Sequence, residues 1–392
     1  MSTNIQGTGP VRETSEQGAQ YTDDLTASPL GYGSALFDRL KFVQAIDDIY
    51  GQTDVDSLRS KTLRVRKVIE SPERGSGGAS KISPGADTVS LRRDVLVSEL
   101  NQILEAQTVE RARYYVRRLR KGVQAVRKTA INDINLLRWK EYENVVTDSL
   151  WIIDRRDTSG GHLGWYWGNF VPQIPQQLML RYTRRHDWVV DAFAGSGTTL
   201  IECRRLGRNG IGLELNEEIA AEAQKLVDAT PNQEDVTTGI EVGDSREMDV
   251  RGILMKHGVE KAQLLIMHPP YHDIIRFSAD GDDLSNAGST DEFLRMFGQT
   301  VDNLTRYLET GRYLALVVGD KYSRGEWIPL GFYCMNEVLS RPFALKSIVV
   351  KNFEETRSKR NQAELWRYRA LAGGFYVFKH EYIFLFRKTG DA

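Results

Sequence analysis

Residues Asp191-Ala-Phe-Ala-Gly-Ser-Gly-Thr-Thr199 stand directly behind an apolar run, Trp188-Val-Val, and run on into an amphipathic stretch ending at Leu206. A strand, a turn of small residues and a helix in that order form half of a nucleotide-binding βαβ unit. Glycine at 195 and 197 allows close approach of the backbone to a ligand that a Cβ would block. A parallel sheet built outward from this unit is the expected frame for the rest of the chain.

Composition narrows the class. In 392 residues, 41% hydrophobic and 27% charged content is that of a globular protein with room for a large α/β domain and a smaller module. A net charge of −1 makes any nucleic-acid surface a local patch. Two cysteines, Cys203 and Cys334, cannot form a disulfide framework and read as core thiols of a reducing compartment. No segment reaches the roughly 18 apolar residues of a membrane span, and the start of the chain does not read as a signal peptide. The expectation is a cytoplasmic protein without a membrane partner and without a metal.

Residues 1–33 are rich in Gly, Ser, Thr, Gln and Asp and read as a disordered tail. Residues 34–150 read as a helical, partly basic module. Leu36, Phe37, Leu40 and Val43 share a helical face, 71–80 forms a flexible loop, and a long helical stretch runs from about Val89 to Leu137. That stretch holds Arg111, Arg113, Arg117, Arg118, Arg120, Lys121, Arg127 and Lys128 with few acids. The block is either a solvated helix face or a phosphate-contacting surface, with Arg117, Arg118, Arg120 and Lys121 as its candidate contacts.

From Trp151 onward the pattern is that of a doubly wound sheet. Strands are expected at about 188–193, 211–215, 239–242, 263–267, 312–318, 345–352 and 379–387, with helices between the first six. A polar insertion, 354–374, joins the last two as an antiparallel hairpin at one edge of a mostly parallel sheet.

Three features lie at expected strand ends. Glu214 closes the second strand about 20 residues after the turn, where a Rossmann-like site binds ribose hydroxyls. Asp244 follows the third, where it can accept from an adenine amino group or cap a helix. The fourth ends in His268-Pro-Pro-Tyr271, a stiff corner that offers carbonyls but no proline N–H. Carbonyls, a polar side chain ahead and a tyrosine behind suit a flat ligand bearing an amino group.

Taken together, Asp191–Thr199 and His268–Tyr271 resemble the motifs of the S-adenosylmethionine-dependent DNA amino-methyltransferases, which methylate N6 of adenine or N4 of cytosine. The resemblance covers about 160–390 and implies an α/β, seven-stranded Rossmann-like methyltransferase sheet, mostly parallel with an antiparallel C-terminal hairpin. It implies a cofactor site of Asp191, Phe193, Gly195, Gly197, Thr198, Glu214 and Asp244. The aromatic-proline segment around Phe170 and Pro172 would pack on the methionine end. His268, Pro269, Pro270 and Tyr271 would hold a target base flipped out of duplex DNA. The absence of a Pro-Cys pair argues against a covalent cytosine-carbon enzyme.

The chain departs from the family pattern twice. Ala192 replaces a proline, and His268 replaces Asp, Asn or Ser. A neutral imidazole has a ring nitrogen free to accept from the amine, whereas an imidazolium has none. Activity is therefore expected to fall as pH drops through about 6.5. The choice between cytosine and adenine leans only slightly to cytosine N4. The N-terminal helical module, the loop 273–290 and the insertion, with Arg357 and Arg360 as candidate DNA contacts, would read sequence, and a cognate nuclease or defence-system subunit would be a partner. Methylation of RNA, or a non-catalytic cofactor- and nucleic-acid-binding role, are the alternatives.

Overall fold

The computed structural model describes residues 33–70, 87–163, 166, 168–271, 278, 281–323, 325–352 and 363–391. The expected tail at 1–33 (apart from Gly33), the loop at 71–80, Arg357, Arg360 and part of 273–290 lie outside them. Two compact units divide between Val123 and Gln124.

The first unit pairs a two-stranded antiparallel sheet with four helices. Strand β1 (Ser34–Asp38) leads into α1 (Arg39–Tyr50) and α2 (Val55–Glu70); β2 (Thr88–Arg92) leads into α3 (Arg93–Leu104) and α4 (Val109–Gln124). The module is thus not purely helical. Phe37 pairs with Val89 and Ala35 with Leu91 across the ladder. Val89 and Leu91 are buried while Ser90 between them is not, a period of two hidden inside what reads as a helical run. Leu40, expected on the buried face, is 61% exposed because the helix starts only at Arg39, after the strand. In α4 the buried residues are Ala112, Val116, Leu119 and Val123, a true helical stripe.

The second unit is built on an eight-stranded sheet, one strand more than expected. Its strands are β3 (Leu150–Trp151), β4 (Trp188–Asp191), β5 (Asn209–Glu214), β6 (Thr238–Val242), β7 (Ala262–Met267), β8 (Leu308–Val318), β11 (Phe343–Asn352) and β12 (His380–Lys388). The spatial order is β3-β11-β12-β8-β7-β4-β5-β6. The extra strand, β3, is a two-residue edge pairing parallel to β11, too short to leave a periodic signal. Strand β12 runs antiparallel to both β8 and β11, so the hairpin has the expected sense.

All four residues of β4 are buried, as befits a central strand covered on both faces. Helices α5 (Gln173–Tyr182), α6 (Thr198–Leu206), α7 (Glu217–Ala229), α8 (Val250–Lys256), α9 (Thr290–Thr305) and α10 (Leu330–Leu339) accompany the strands. A small hairpin, β9 (Lys321–Ser323) with β10 (Glu326–Ile328), follows β8. The insertion holds a helix, α11 (Ala363–Gly373), rather than only loop. Its Ala-Glu-Leu-Trp-Arg-Tyr-Arg-Ala-Leu sequence is rich in helix formers, but it buries no residue and so shows no apolar stripe.

From β4 the chain winds outward through β5 and β6, then returns to place β7 on the other side of β4. The crevice outside such a switch point is where open α/β sheets bind ligands.

Candidate active site

Register brings the glycine turn and the proline corner together. Asp191 pairs with Ile266 on β7, and Ala192 N–H donates to the Ile266 carbonyl at 2.9 Å. His268 therefore begins the corner two residues beyond the partner of Asp191.

The turn is held by its own acid. Asp191 is fully buried; one carboxylate oxygen accepts the Phe193 N–H at 3.0 Å and the other accepts the Thr199 hydroxyl. Burial pushes its pKa up to about 6. Asp191 thereby shapes the turn. Gly195 and Gly197 both take left-handed backbone angles, with φ of 51° and 76°. A Cβ at Gly197 would meet Val227 Cγ2 at 3.1 Å, on α7, and one at Gly195 would meet the Tyr166 ring at 3.1 Å. Both contacts are tight, so packing as well as the left-handed backbone disfavours a Cβ at either position.

Glu214 ends β5 beside the turn. Its Oε2 accepts the Gly195 N–H at 2.9 Å and its Oε1 the Asn216 N–H at 3.0 Å. Burial raises its pKa, and the Asp283 carboxylate raises it further. The Glu214 carboxylate also raises the Asp191 pKa. Asp244 caps a turn, accepting the Arg246 N–H at 2.9 Å and pairing with the Arg246 side chain, which also reaches Asp282. The helix cap proper is Asp249, which accepts from Gly252 ahead of α8.

The aromatic segment touches both turn and corner. Asn169 accepts from the Thr198 hydroxyl at 2.8 Å and donates to Ser196. Phe170 is buried with its ring 5.1 Å from that of His268. Pro172 is a buried N-cap of α5 whose carbonyl accepts from Gln176, and Pro175 lies in the first turn. Tyr166 covers Gly195, and burial with Glu214 nearby raises its phenol pKa.

At the corner, burial lowers the His268 pKa, the Glu381 carboxylate opposes that, and Lys351 reinforces it. The acid limb of any His268-dependent activity thus moves below the expected 6.5. The Tyr271 ring stands edge-on to His268 at 5.9 Å, and its hydroxyl accepts the Gly319 N–H at 2.9 Å. Pro269 is buried and Pro270 half-buried between them.

The basic block is largely spent inside the first unit. Arg118 reaches Glu99 and Gln102, Arg120 pairs with Asp47, and Arg113 donates to the Tyr50 and Gln52 carbonyls. Arg117 and Lys121 are exposed. Both cysteines are buried with thiol pKa values raised by burial.

Tyr166, Asn169, Asp283, Lys351 and Glu381 were not legible as site residues. Asn169 and Tyr166 sit in a segment whose aromatic density was visible. Lys351 and Glu381 carry a subtler mark, a charge in the core phase of a strand pattern.

Among the described residues, no group of three or more His, Cys, Asp or Glu side chains is placed to hold a metal, and no helix is long and apolar enough to cross a membrane. The DNA methylase family model, of the N6 and N4 type, matches residues 99–225, which include Phe170, the glycine turn and Glu214. The type II methyltransferase M.MjaII of Methanocaldococcus jannaschii is 39% identical over 51 residues, 13% of this chain and 10% of that protein. M2.DpnII of Streptococcus pneumoniae is 37% identical over 54 residues, 14% and 20% of the two chains. The chain thus spans a tenth to a fifth of the length of these curated relatives. Among solved structures, TrmN from Thermus thermophilus aligns over 56% of this chain and 49% of its own at 16% identity, with a TM-score of 0.35.

Proposed function

We propose that this chain, which belongs to the N6 and N4 amino-methyltransferase family of DNA methylases, transfers a methyl group from S-adenosylmethionine to the exocyclic nitrogen of cytosine or adenine in DNA. The observation that carries the reading is the juxtaposition of the Asp191–Thr199 turn and the His268–Tyr271 corner on paired strands at the switch point.

The donor fits the residues present. Glu214 uses two acceptor positions of its carboxylate on backbone N–H groups, and such a group has about four. The others suit ribose hydroxyls. Glu214, Asp191 and Asp283 crowd negative charge into one buried region, which a cationic donor would relieve. Asp244 would face the adenine end, and Phe193, Gly195, Gly197 and Thr198 would line the cradle, with Pro172 behind it. When bound, S-adenosylmethionine supplies a sulfonium-activated methyl group.

The chain's own work is positioning and electrostatics. Tyr271 would stack on a flat ring beside His268, and neutral His268 together with the corner carbonyls would accept hydrogen bonds from the amine. A base inside a duplex must be flipped out to reach that place. Trp366, Tyr368, Arg367 and Arg369 on exposed α11 provide stacking and phosphate-binding groups for DNA; Arg369 lies 5.1 Å over the Trp366 ring. Arg117 and Lys121, with Arg357 and Arg360, extend this reading. A nuclease of matching specificity would be its companion in a defence system.

Incubation of the full chain with labelled S-adenosylmethionine and separate DNA and RNA pools tests the reading. Label in DNA, recovered on digestion as N4-methylcytosine or N6-methyladenine, supports it and chooses the base. Label only in RNA, or none with the donor bound, overturns it.

A further inference from the structure

A row of positions crosses the sheet under the proline corner. His268 follows β7, Gly319 follows β8, Glu381 lies near the start of β12 and Lys351 near the end of β11, and these four strands are successive neighbours. Two residues away from each stand Ile266, Val317, Ile383 and Val349, all members of one apolar cluster. The period of two therefore puts the four positions on one face of the sheet.

Gly319 puts no side chain into that row, and the Tyr271 hydroxyl lies 3.5 Å from where its Cβ would stand. The hydroxyl accepts the Gly319 N–H at 2.9 Å, and Gly319 follows Val318, the cross-strand partner of Tyr382 next to Glu381. Lys351 Nζ donates to Glu381 Oε1 at 2.9 Å, and Lys351 and Glu381 are only 5% and 8% exposed. Register makes those two residues direct cross-strand partners. An apolar pair of similar volume would hold such a sheet at least as well, because desolvating two charges offsets most of their attraction. A buried ion pair next to the corner thus asks for a reason other than stability.

We infer that Glu381, held by Lys351, is a positioning residue of the methyl-transfer site: it stands on the sheet face where the Tyr271 hydroxyl is anchored and supplies beside His268 the negative charge that the corner itself lacks. The inference rests on the proposed reaction for its chemical meaning. In that reaction the acceptor nitrogen's lone pair forms the N–C bond as the C–S bond breaks with its electrons on sulfur. One N–H proton then passes to the free ring nitrogen of His268, and the resulting imidazolium lies near the Glu381 carboxylate. Among the described residues, Tyr271, Glu381 and Lys351 are the titratable groups that face His268, and Phe170 covers it from the segment before α5. The opposing effects of Glu381 and Lys351 on the imidazole agree with this arrangement.

The test uses the full chain and two readouts. Imidazole NMR titration, with His268 assigned among the six histidines through H268N, is made on wild type, E381Q, E381D and Y271F. Steady-state methyl transfer is measured on the same proteins. The expected result for E381Q is a His268 titration displaced to lower pH and a kcat reduced about tenfold or more at little-changed donor KM. E381D should recover part of both. Y271F should lower kcat without displacing the titration as far as E381Q does, and it keeps the test open should E381Q not fold. An unmoved His268 titration in the acid-replacement variant, or in Y271F an unchanged kcat if E381Q does not fold, overturns the inference, as does loss of activity that E381D fails to relieve. If wild type methylates no nucleic acid, the proposed function fails while the titration still decides whether Glu381 acts on His268.

Discussion

The Gly195 amide donates to the Glu214 carboxylate at 2.9 Å, tying the glycine turn after β4 to the end of β5. The acid that the sequence marks for a sugar thus also braces the turn that would hold the rest of the nucleoside. Glu214→Gln keeps the size but removes the charge, and hydrogen bonds to a charged group are worth about 1.5–3 kcal/mol. Donor affinity should fall roughly 10- to 100-fold, read by calorimetric titration with S-adenosylhomocysteine; affinity within twofold of wild type would remove Glu214 from the cofactor site.

Gly197 carries two demands, a left-handed backbone with φ of 76° and a Cβ path ending 3.1 Å from Val227 Cγ2. Gly197→Ala should destabilise the protein by about 1–3 kcal/mol in urea unfolding, from backbone strain of 1–2 kcal/mol plus the contact. Adding Val227→Ala should return the contact part and leave the strain. An additive double variant would mean that α7 packing does not explain the glycine.

Asp191 is raised by burial from the ordinary carboxylate value to about 6. Its contribution to folding is fully present below about 3.8, the unfolded value, and is lost as pH rises through about 6. The size is roughly 3 kcal/mol at 1.36 kcal/mol per pH unit. The difference in unfolding free energy between wild type and Asp191→Asn should therefore vary across pH 4–6 by an amount of this order. A difference constant over that window would place the carboxylate in a more polar setting.

His268 is held below the ordinary histidine value, chiefly by burial. Methyl transfer should stay level from pH 8 down past 6.5 and fall only below that, and H268N should lose this limb. A wild-type limb centred at or above 6.5, with chemistry rate-limiting, would contradict the burial that sets it.

Arg118 and Arg120 bond to Glu99 and Asp47, while Arg117 and Lys121 are exposed on the same helix. R117E/K121E should weaken DNA binding and flatten its dependence on salt by about one unit per lost contact while leaving thermal unfolding unchanged. Arg118→Ala should lower unfolding stability. Equal DNA affinity at all salt concentrations would assign the exposed pair to plain solvation.

The sequence by itself determined the seven main strands, the turn that opens α6, the sense of the C-terminal hairpin and the corner at His268. Each is written in local terms: a continuous apolar run, glycines at fixed offsets, two consecutive prolines. It also marked Glu214, because an acid about 20 residues after the glycine turn stands where a Rossmann-like site binds ribose hydroxyls. Tertiary structure alone decided the rest. The β1–β2 ladder joins residues 50 to 58 apart, and β3 is two residues long, so neither leaves a readable period. The helix in the insertion has no apolar stripe because nothing among the described residues covers it deeply. Glycine at 197 could be foreseen, but its neighbour on α7 could not. Lys351 and Glu381 lie 83 and 113 residues beyond His268, and only strand order places them under the corner, where a buried charge acts on whatever the fold sets beside it.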